Sequence, residues 1–145
     1  MLDVLQHVED WELLAQFAQS YRTLSDALME QIALHRSQAM VLTKLFVQDG
    51  LTQSEIAQRL AVQGATVTDM LQRMEEAGLV SRRRDSNDNR LVRVYLTPEG
   101  REKERLIMEQ YYLLESVVFK DFNESERITL CHLLKRSLDD IIQAL

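Results

Sequence analysis

The chain has 145 residues, of which 46% are hydrophobic and 28% are charged, and its formal net charge is −6. This length fits one domain, or one domain with a dimerisation extension, and the composition is that of an ordinary soluble globular protein. The acidic total argues against a protein that coats nucleic acid indiscriminately, and no apolar run approaches the roughly 18 residues that span a bilayer.

The first predicted element is a long amphipathic helix from about Val8 to Leu34. Its apolar and small residues recur at spacings of three and four, which is a heptad-like stripe. The stripe consists of Trp11, Leu14, Ala18, Tyr21, Ser25, Leu28 and Ile32. Core packing alone would explain it, but a helix this long in a small protein usually packs against more than its own domain. We therefore expect core packing together with a subunit interface.

A second helix is predicted from about Ser37 to Gln48. After it, the sequence predicts two helices joined by a turn. Thr52-Gln53-Ser54-Glu55 reads as a capping box, in which the hydroxyl of the first residue accepts the amide hydrogen of the last. The short helix that begins there ends near Ala61, and an amphipathic helix then runs from about Ala65 to Ala77. A short helix, a tight turn and a helix with a polar N-terminal end predict a helix-turn-helix.

Two strands follow, from Leu79 to Arg84 and from Arg90 to Thr97, around a loop whose five residues all suit turns. Between Arg82 and Arg93 there are five arginines and two aspartates. This segment therefore carries +3, which leaves −9 for the rest of the chain. A basic hairpin directly after a helix-turn-helix is the wing of a winged helix.

Two further helices are expected after the wing. Thr97 is placed as the N-cap of a helix to about Phe122, and Asn123 begins another capping arrangement. The last helix carries Cys131, Leu134, Leu138, Ile141 and Leu145 at spacings of three and four. The prediction is a mainly α fold with a small β-hairpin wing. Residues 35–100 would form the winged helix-turn-helix lobe, and residues 1–34 and 101–145 a helical dimerisation region.

Three segments of this region have a distinctive order: Gly78-Leu79-Val80-Ser81-Arg82, then Asp88-Asn89-Arg90, then Val94-Tyr95-Leu96-Thr97-Pro98-Glu99-Gly100. They resemble the G-L-[IV]-x-R, D-R-R and V-x-L-T-x-x-G patterns of the MarR family of bacterial transcriptional regulators. Residues 51–57 and 65–68 match the helix-turn-helix portion of the same family. The resemblance implies a cytoplasmic homodimer, not an enzyme, that needs no cofactor and binds double-stranded DNA at a pseudo-palindromic operator. It also implies a repressor that a small aromatic effector releases.

In a helix-turn-helix the second helix, here from about Ala65 to Ala77, is the recognition helix that enters the major groove. The resemblance and the polar start of this recognition helix together predict a set of DNA contacts. Short side chains at the helix start suit the major groove, and arginines at a wing tip suit a narrow minor groove. The predicted DNA-binding residues are Gln63, Ala65, Thr66, Thr68, Arg73, Arg84 and Arg90, with Arg82 and Asp88 supporting the wing. The alternative is a solvated helix face, with Thr66 as a local cap and the arginines as surface charges.

Three residues depart from the family pattern. Asn89 replaces the middle arginine of the D-R-R triplet, and Gln63 replaces the usual Ser or Thr before the recognition helix. Asp69 stands where many members carry a basic residue, so it would repel a phosphate unless it accepts from a cytosine amino group. Asp69, Asn89 and the acidic total favour one alternative function, a winged-helix protein-interaction module with little DNA binding.

An effector pocket would draw on aromatic and polarisable side chains near the junction of the two regions. The residues suggested for it are Trp11, Tyr21, His35, Met40 and Tyr111, for which simple packing is an equal explanation. His7, His35 and His132 lie in separate elements, so no metal site is expected. The single cysteine, Cys131, is expected to be an inert buried thiol, and whether it senses redox stays open. No nucleophile–base pair or glycine-rich phosphate loop suggests an enzyme.

Overall fold

The computed structural model describes residues 9–145, so His7 and the predicted helix start at Val8 lie outside the described residues. The described part is mainly helical with one small antiparallel sheet, as the sequence predicts. In chain order, the elements are α1 (Asp10–Glu30), α2 (Arg36–Val47), β1 (Leu51–Thr52), α3 (Gln53–Leu60), α4 (Gly64–Glu76), β2 (Val80–Arg84), β3 (Val92–Leu96), α5 (Pro98–Glu102), α6 (Glu104–Val118) and α7 (Glu124–Ala144).

The predicted capping residues begin the helices that they were assigned to. The Thr52 hydroxyl accepts a hydrogen bond from the Glu55 amide at 3.1 Å, and the Thr52 amide donates to the Glu55 carboxylate at 3.0 Å. Asn123 and Glu126 form the same reciprocal pair at 2.8 and 3.0 Å. Each pair satisfies two amide donors that a helix start leaves without partners. The start positions of α3 and α7 are therefore encoded locally.

The sheet contains one more strand than the predicted hairpin. Its order is β1-β3-β2, with Leu51 opposite Val94 and Thr52 opposite Arg93. Two residues are too few for an alternating pattern, so β1 gives no signal in the sequence. Because Thr52 belongs to β1 and also caps α3, the strand ties the wing directly to the start of the helix-turn-helix.

The core of the lobe lies among α2, α3, α4 and the sheet. The side chains that are completely or almost completely buried there are apolar: Val41, Leu42, Leu45, Leu51, Ile56, Val67, Leu71, Met74, Val80 and Val94. Full burial of a Val, Leu, Ile or Met side chain stabilises a fold by about 1.5–3 kcal/mol. This core is what holds α4 in a fixed position relative to the wing.

The predicted helix from Thr97 to Phe122 is divided. The amide of Lys103 bonds to the carbonyl of Gly100, three residues back, so the chain tightens there and α5 ends before α6 begins. The α6 helix then ends at Val118, four residues short of the prediction. The sequence interpretation of one continuous helix was wrong in this detail.

The outer helices bury little of their apolar surface within the chain. In α1 only Ser25 and Met29 are buried, and α7 contains no buried residue. Cys131 is exposed, so the expectation of a buried thiol was wrong for the single chain. The physical reason is that the apolar stripe of α7, on which Cys131 lies, packs against almost nothing among residues 9–145.

Gly100 is required where α5 crosses the start of β2. The Thr97 hydroxyl donates to the Gly78 carbonyl at 2.6 Å and accepts from the Gly100 amide at 3.0 Å. These bonds hold the two segments so close that a Cβ on Gly100 would lie 2.0 Å from the Leu79 carbonyl oxygen. Backbone must therefore move to admit any side chain.

We expect Gly100→Ala to lower the free energy of unfolding by about 3 kcal/mol, because inserting a methyl into a filled space costs this much. Gly64→Ala is the matched control, since a Cβ at Gly64 meets nothing within 4 Å. It should leave stability unchanged or raise it slightly. Urea unfolding followed by circular dichroism at one protein concentration measures both, and equal effects of the two substitutions would contradict the packing argument.

Candidate nucleic-acid interface

The α4 helix separates an apolar face from a polar one. Val67, Leu71 and Met74 are fully buried against the lobe core. The side chains on the opposite face are exposed, including Ala65, Thr66, Asp69, Gln72 and Arg73. An exposed polar face on a helix that the core holds rigidly is suited to entering a groove of DNA.

The predicted contact residues at the start of α4 lie in different surroundings. Gln63, not Thr66, occupies the N-cap position, and both residues are exposed. The Thr68 hydroxyl donates to the Gly64 carbonyl at 3.1 Å and accepts from the Gln53 side chain at 3.4 Å. Thr68 is therefore partly engaged in joining α3 to α4, whereas the exposed Thr66 has no hydrogen bond of this kind among residues 9–145.

The wing tip is organised around an ion pair. Nε and Nη2 of Arg90 donate to the two carboxylate oxygens of Asp88 at 3.0 and 3.1 Å, and the Arg90 amide donates to the same carboxylate at 3.1 Å. These bonds lower the pKa of Asp88 and raise that of Arg90. The Arg90 side chain is still 89% exposed. Asp88 thus orients the guanidinium without covering its outer edge.

Arg84 and Arg82 brace the wing from its two ends. Nη1 of Arg84 donates to the Asn89 carbonyl at 2.7 Å, across the wing loop. The Arg82 amide and guanidinium both donate to the Glu75 carboxylate of α4, at 3.0 and 3.3 Å. The bond from the Arg82 amide is the main reason that the pKa of Glu75 is lowered. The wing is thereby tied to the recognition helix.

Asp85 is a wing residue that the sequence interpretation did not single out. Its carboxylate accepts from the amides of Asn87 and Asp88 at 2.7 and 3.0 Å, and it pairs with the Arg93 guanidinium. Arg93 also donates to the Gly50 carbonyl at 2.9 Å. An aspartate at the first position of a turn is a sequence signal for that turn. Its pairing with Arg93 depends on the register of the two strands, which the sequence does not show.

The Arg93 guanidinium, followed by the two amide bonds, lowers the pKa of Asp85 below its usual 3.8. A lowered folded-state pKa adds stability that is present above the unfolded-state value and is lost as the pH falls through the folded one. We therefore expect the melting temperature of the wild type to fall more steeply below about pH 4 than that of Asp85→Asn. Asp121→Asn, an exposed aspartate after α6, is the control and should keep the wild-type slope. Parallel pH profiles for wild type and Asp85→Asn would contradict this role.

A large cavity lies between the lobe and the outer helices. Its volume is about 1230 Å³, and it is lined mainly by apolar groups of α1, α2, α6 and α7. Tyr21, Met40 and Tyr111 line it, and burial raises the pKa of Tyr111. Trp11 and His35 do not line it. Trp11 lies near the start of α1, and the His35 amide donates to Gln38 at the start of α2.

Two kinds of feature are absent from residues 9–145, the part of the chain that the structure describes. No three His, Cys, Asp or Glu side chains lie close enough together there to hold a metal ion. Within the same range, no helix combines the length and the apolar character that a membrane span requires.

Comparison with known proteins identifies the family to which this chain belongs. Residues 34–92 match the family model described as the MarR family. The HTH-type transcriptional regulator YwoH of Bacillus subtilis, itself uncharacterized, is 33% identical over 129 residues, which cover 87% of this chain and 93% of YwoH.

Two solved structures share the fold. A MarR family regulator from Listeria monocytogenes, in complex with a 26mer DNA, has a TM-score of 0.86 at 19% identity, over 95% of this chain and 92% of its own. BpsR of Bordetella bronchiseptica, whose DNA binding is regulated by 6-hydroxynicotinic acid, has a TM-score of 0.84 at 24% identity, over 91% and 94%. The chain belongs to the MarR family of HTH-type transcriptional regulators.

Proposed function

We propose that this regulator is a homodimer that binds double-stranded DNA sequence-specifically, with α4 in the major groove and the wing in the adjacent minor groove. The observation that carries the proposal is the bracing of the basic wing against the helix-turn-helix, through Arg82 to Glu75 and through Arg93 to Gly50. A wing held rigidly beside a recognition helix presents two contact surfaces at a fixed separation, which is what two neighbouring grooves require. The proposed contacts are Gln63, Ala65, Thr66, Thr68, Arg73, Arg84 and Arg90.

Dimerisation is supported by the apolar surface that the outer helices expose. Trp11 of α1 is 70% exposed, Tyr112 of α6 is 63% exposed, and Ile141 of α7 is 56% exposed. Large apolar side chains exposed on three helices favour a protein–protein interface. We assign residues 35–100 to the DNA-binding lobe and residues 1–34 and 101–145 to dimerisation. A two-fold dimer would read a pseudo-palindrome whose half-sites are about 10 base pairs apart, centre to centre.

Repression with release by an effector is the regulatory mode that the cavity favours. The cavity contacts α2 of the lobe and α1, α6 and α7 of the dimerisation region. A ligand in it would therefore change how far apart the two lobes lie, which loosens binding to two half-sites at once. Its apolar wall with the Tyr111 hydroxyl suits a small aromatic molecule, the class to which the BpsR ligand belongs. An occupied operator would exclude RNA polymerase until such a molecule binds.

A mobility-shift titration with the DNA upstream of the protein's own gene tests the proposed function. We expect a discrete complex with the labelled DNA. Excess unlabelled DNA of the same sequence should abolish this complex, and excess unrelated DNA should not. The affinity should fall steeply as the salt concentration rises. Only weak binding to every genomic fragment, even at low salt, would contradict DNA recognition. That result would favour the protein-interaction module suggested by Asp69, Asn89 and the acidic total charge.

A further inference from the structure

The recognition helix carries carboxylates on the face that the proposed function turns toward DNA. Asp69 and Glu76 are both exposed on α4, and DNA is itself a polyanion. An acidic side chain there lowers affinity for every sequence unless it has a partner on the bases. The position of Asp69 on the helix decides which of these two effects applies. The inference below rests on the proposed function.

The buried residues of α4 fix which side chains point outward. Val67, Leu71 and Met74 are fully buried, and a helix has 3.6 residues per turn. The ridge opposite them therefore runs along residues at spacings of four, three and four: Ala65, Asp69, Gln72 and Glu76. Thr66 and Thr68 lie on either side of this ridge, not on it. Asp69 is thus the first charged group on the part of the helix farthest from the core.

The Asp69 carboxylate has no hydrogen bond or ion pair with any residue in 9–145, including Arg73 one turn later. Gln72, by contrast, donates to Glu76 at 3.4 Å. Asp69 is the sixth residue of α4, within the N-terminal half whose side chains contact base edges in helix-turn-helix proteins. A carboxylate without a partner at that place is available to accept a hydrogen bond from DNA.

The chemistry of a carboxylate selects among the bases. It only accepts hydrogen bonds, and in the major groove the donors are the N4 amino group of cytosine and the N6 amino group of adenine. Adenine presents its N7 acceptor beside N6, and that acceptor repels a carboxylate, so cytosine is the better partner. Guanine O6 and thymine O4 are acceptors, so they repel it. We propose that Asp69 is a specificity-determining residue that reads a C·G base pair in each half-site through the cytosine amino group. Repulsion of the wrong bases adds to this selectivity, at a cost in overall affinity.

Selection of bound duplexes from a randomised pool, with the full chain, tests this role. The wild type should enrich one cytosine per half-site that Asp69→Ala no longer requires. Asp69→Asn should shift the preference at that position to adenine, because an amide bonds adenine N6 and N7 together. Measured on single duplexes, changing the C·G pair should weaken the wild type by roughly 5- to 150-fold and Asp69→Ala far less.

Glu76→Gln is the matched control, since it removes a charge from the same ridge about two turns later and can still accept from Gln72. It should raise affinity for all duplexes without changing the selected sequence. If Asp69→Ala behaves in the same way and keeps the wild-type motif, Asp69 only repels DNA and the inference is overturned. A wild type that enriches no motif would overturn the proposed function, and this inference with it.

Discussion

Replacing Leu138 and Ile141 of α7 with aspartate is expected to convert the protein from dimers into monomers. The two side chains are 55% and 56% exposed in the single chain, and in the proposed dimer a second subunit would bury them. Two carboxylates at these positions would lie in an apolar interface without partners, which costs several kcal/mol. A monomer engages one half-site at a time, so affinity for a two-half-site operator should fall by about 10²- to 10⁴-fold.

The control for this pair places the same two charges on the other face of α7. His132→Asp together with Gln143→Asp changes exposed residues that lie away from the stripe of Leu138 and Ile141. This variant should remain a dimer and bind the operator like the wild type. Light scattering after gel filtration, with the mobility shift, distinguishes the two variants. A Leu138/Ile141 variant that stays dimeric and binds DNA normally would show that α7 is not the interface.

Arg90→Ala is expected to weaken operator binding and to flatten its dependence on salt. Removing one phosphate or minor-groove contact from each subunit eliminates two cationic contacts per dimer, so the slope of log K against log salt should fall by about 2. The substitution also releases Asp88, whose carboxylate then faces the DNA without its arginine partner. Affinity at physiological salt should therefore fall by at least roughly tenfold.

Arg105→Ala is the matched control for Arg90, because Arg105 is also highly exposed and also paired with an acid, Glu109, but on α6. It should leave both the affinity and the salt slope at their wild-type values. Titrations at four or more salt concentrations give the slope directly. Binding that Arg90→Ala does not change would show that the wing assignment is wrong.

Local signals account for the part of the fold that the sequence predicted well. Thr52 with Glu55 and Asn123 with Glu126 carry the complete information for starting α3 and α7, because both partners lie within one helical turn. The amphipathic spacing of α4 likewise fixed which face is buried. The outward ridge of the recognition helix follows from that spacing alone.

The remaining features depend on contacts between distant residues. β1 is only two residues long, and the pairing of Asp85 with Arg93 needs the strand register. The hydrogen bond from Gln53 to Thr68 joins α3 to α4, so Thr68 also has a structural role. The position of Thr68 in the motif does not predict that role. Cys131 lies on an apolar stripe of α7, and the sequence interpretation placed this residue in the core. An apolar stripe that faces a partner subunit would have the same residue spacing as one that faces the core.

Hydroxyl-radical footprinting of the wild type on the DNA upstream of its own gene tests the central claim most directly. Two braced lobes related by a two-fold axis should protect two major-groove segments about one helical turn apart, with flanking minor-groove protection where Arg90 reaches. Arg90→Ala should lose only the flanking protection. A single protected segment, or uniform protection without a repeat, would contradict a dimer that reads successive grooves.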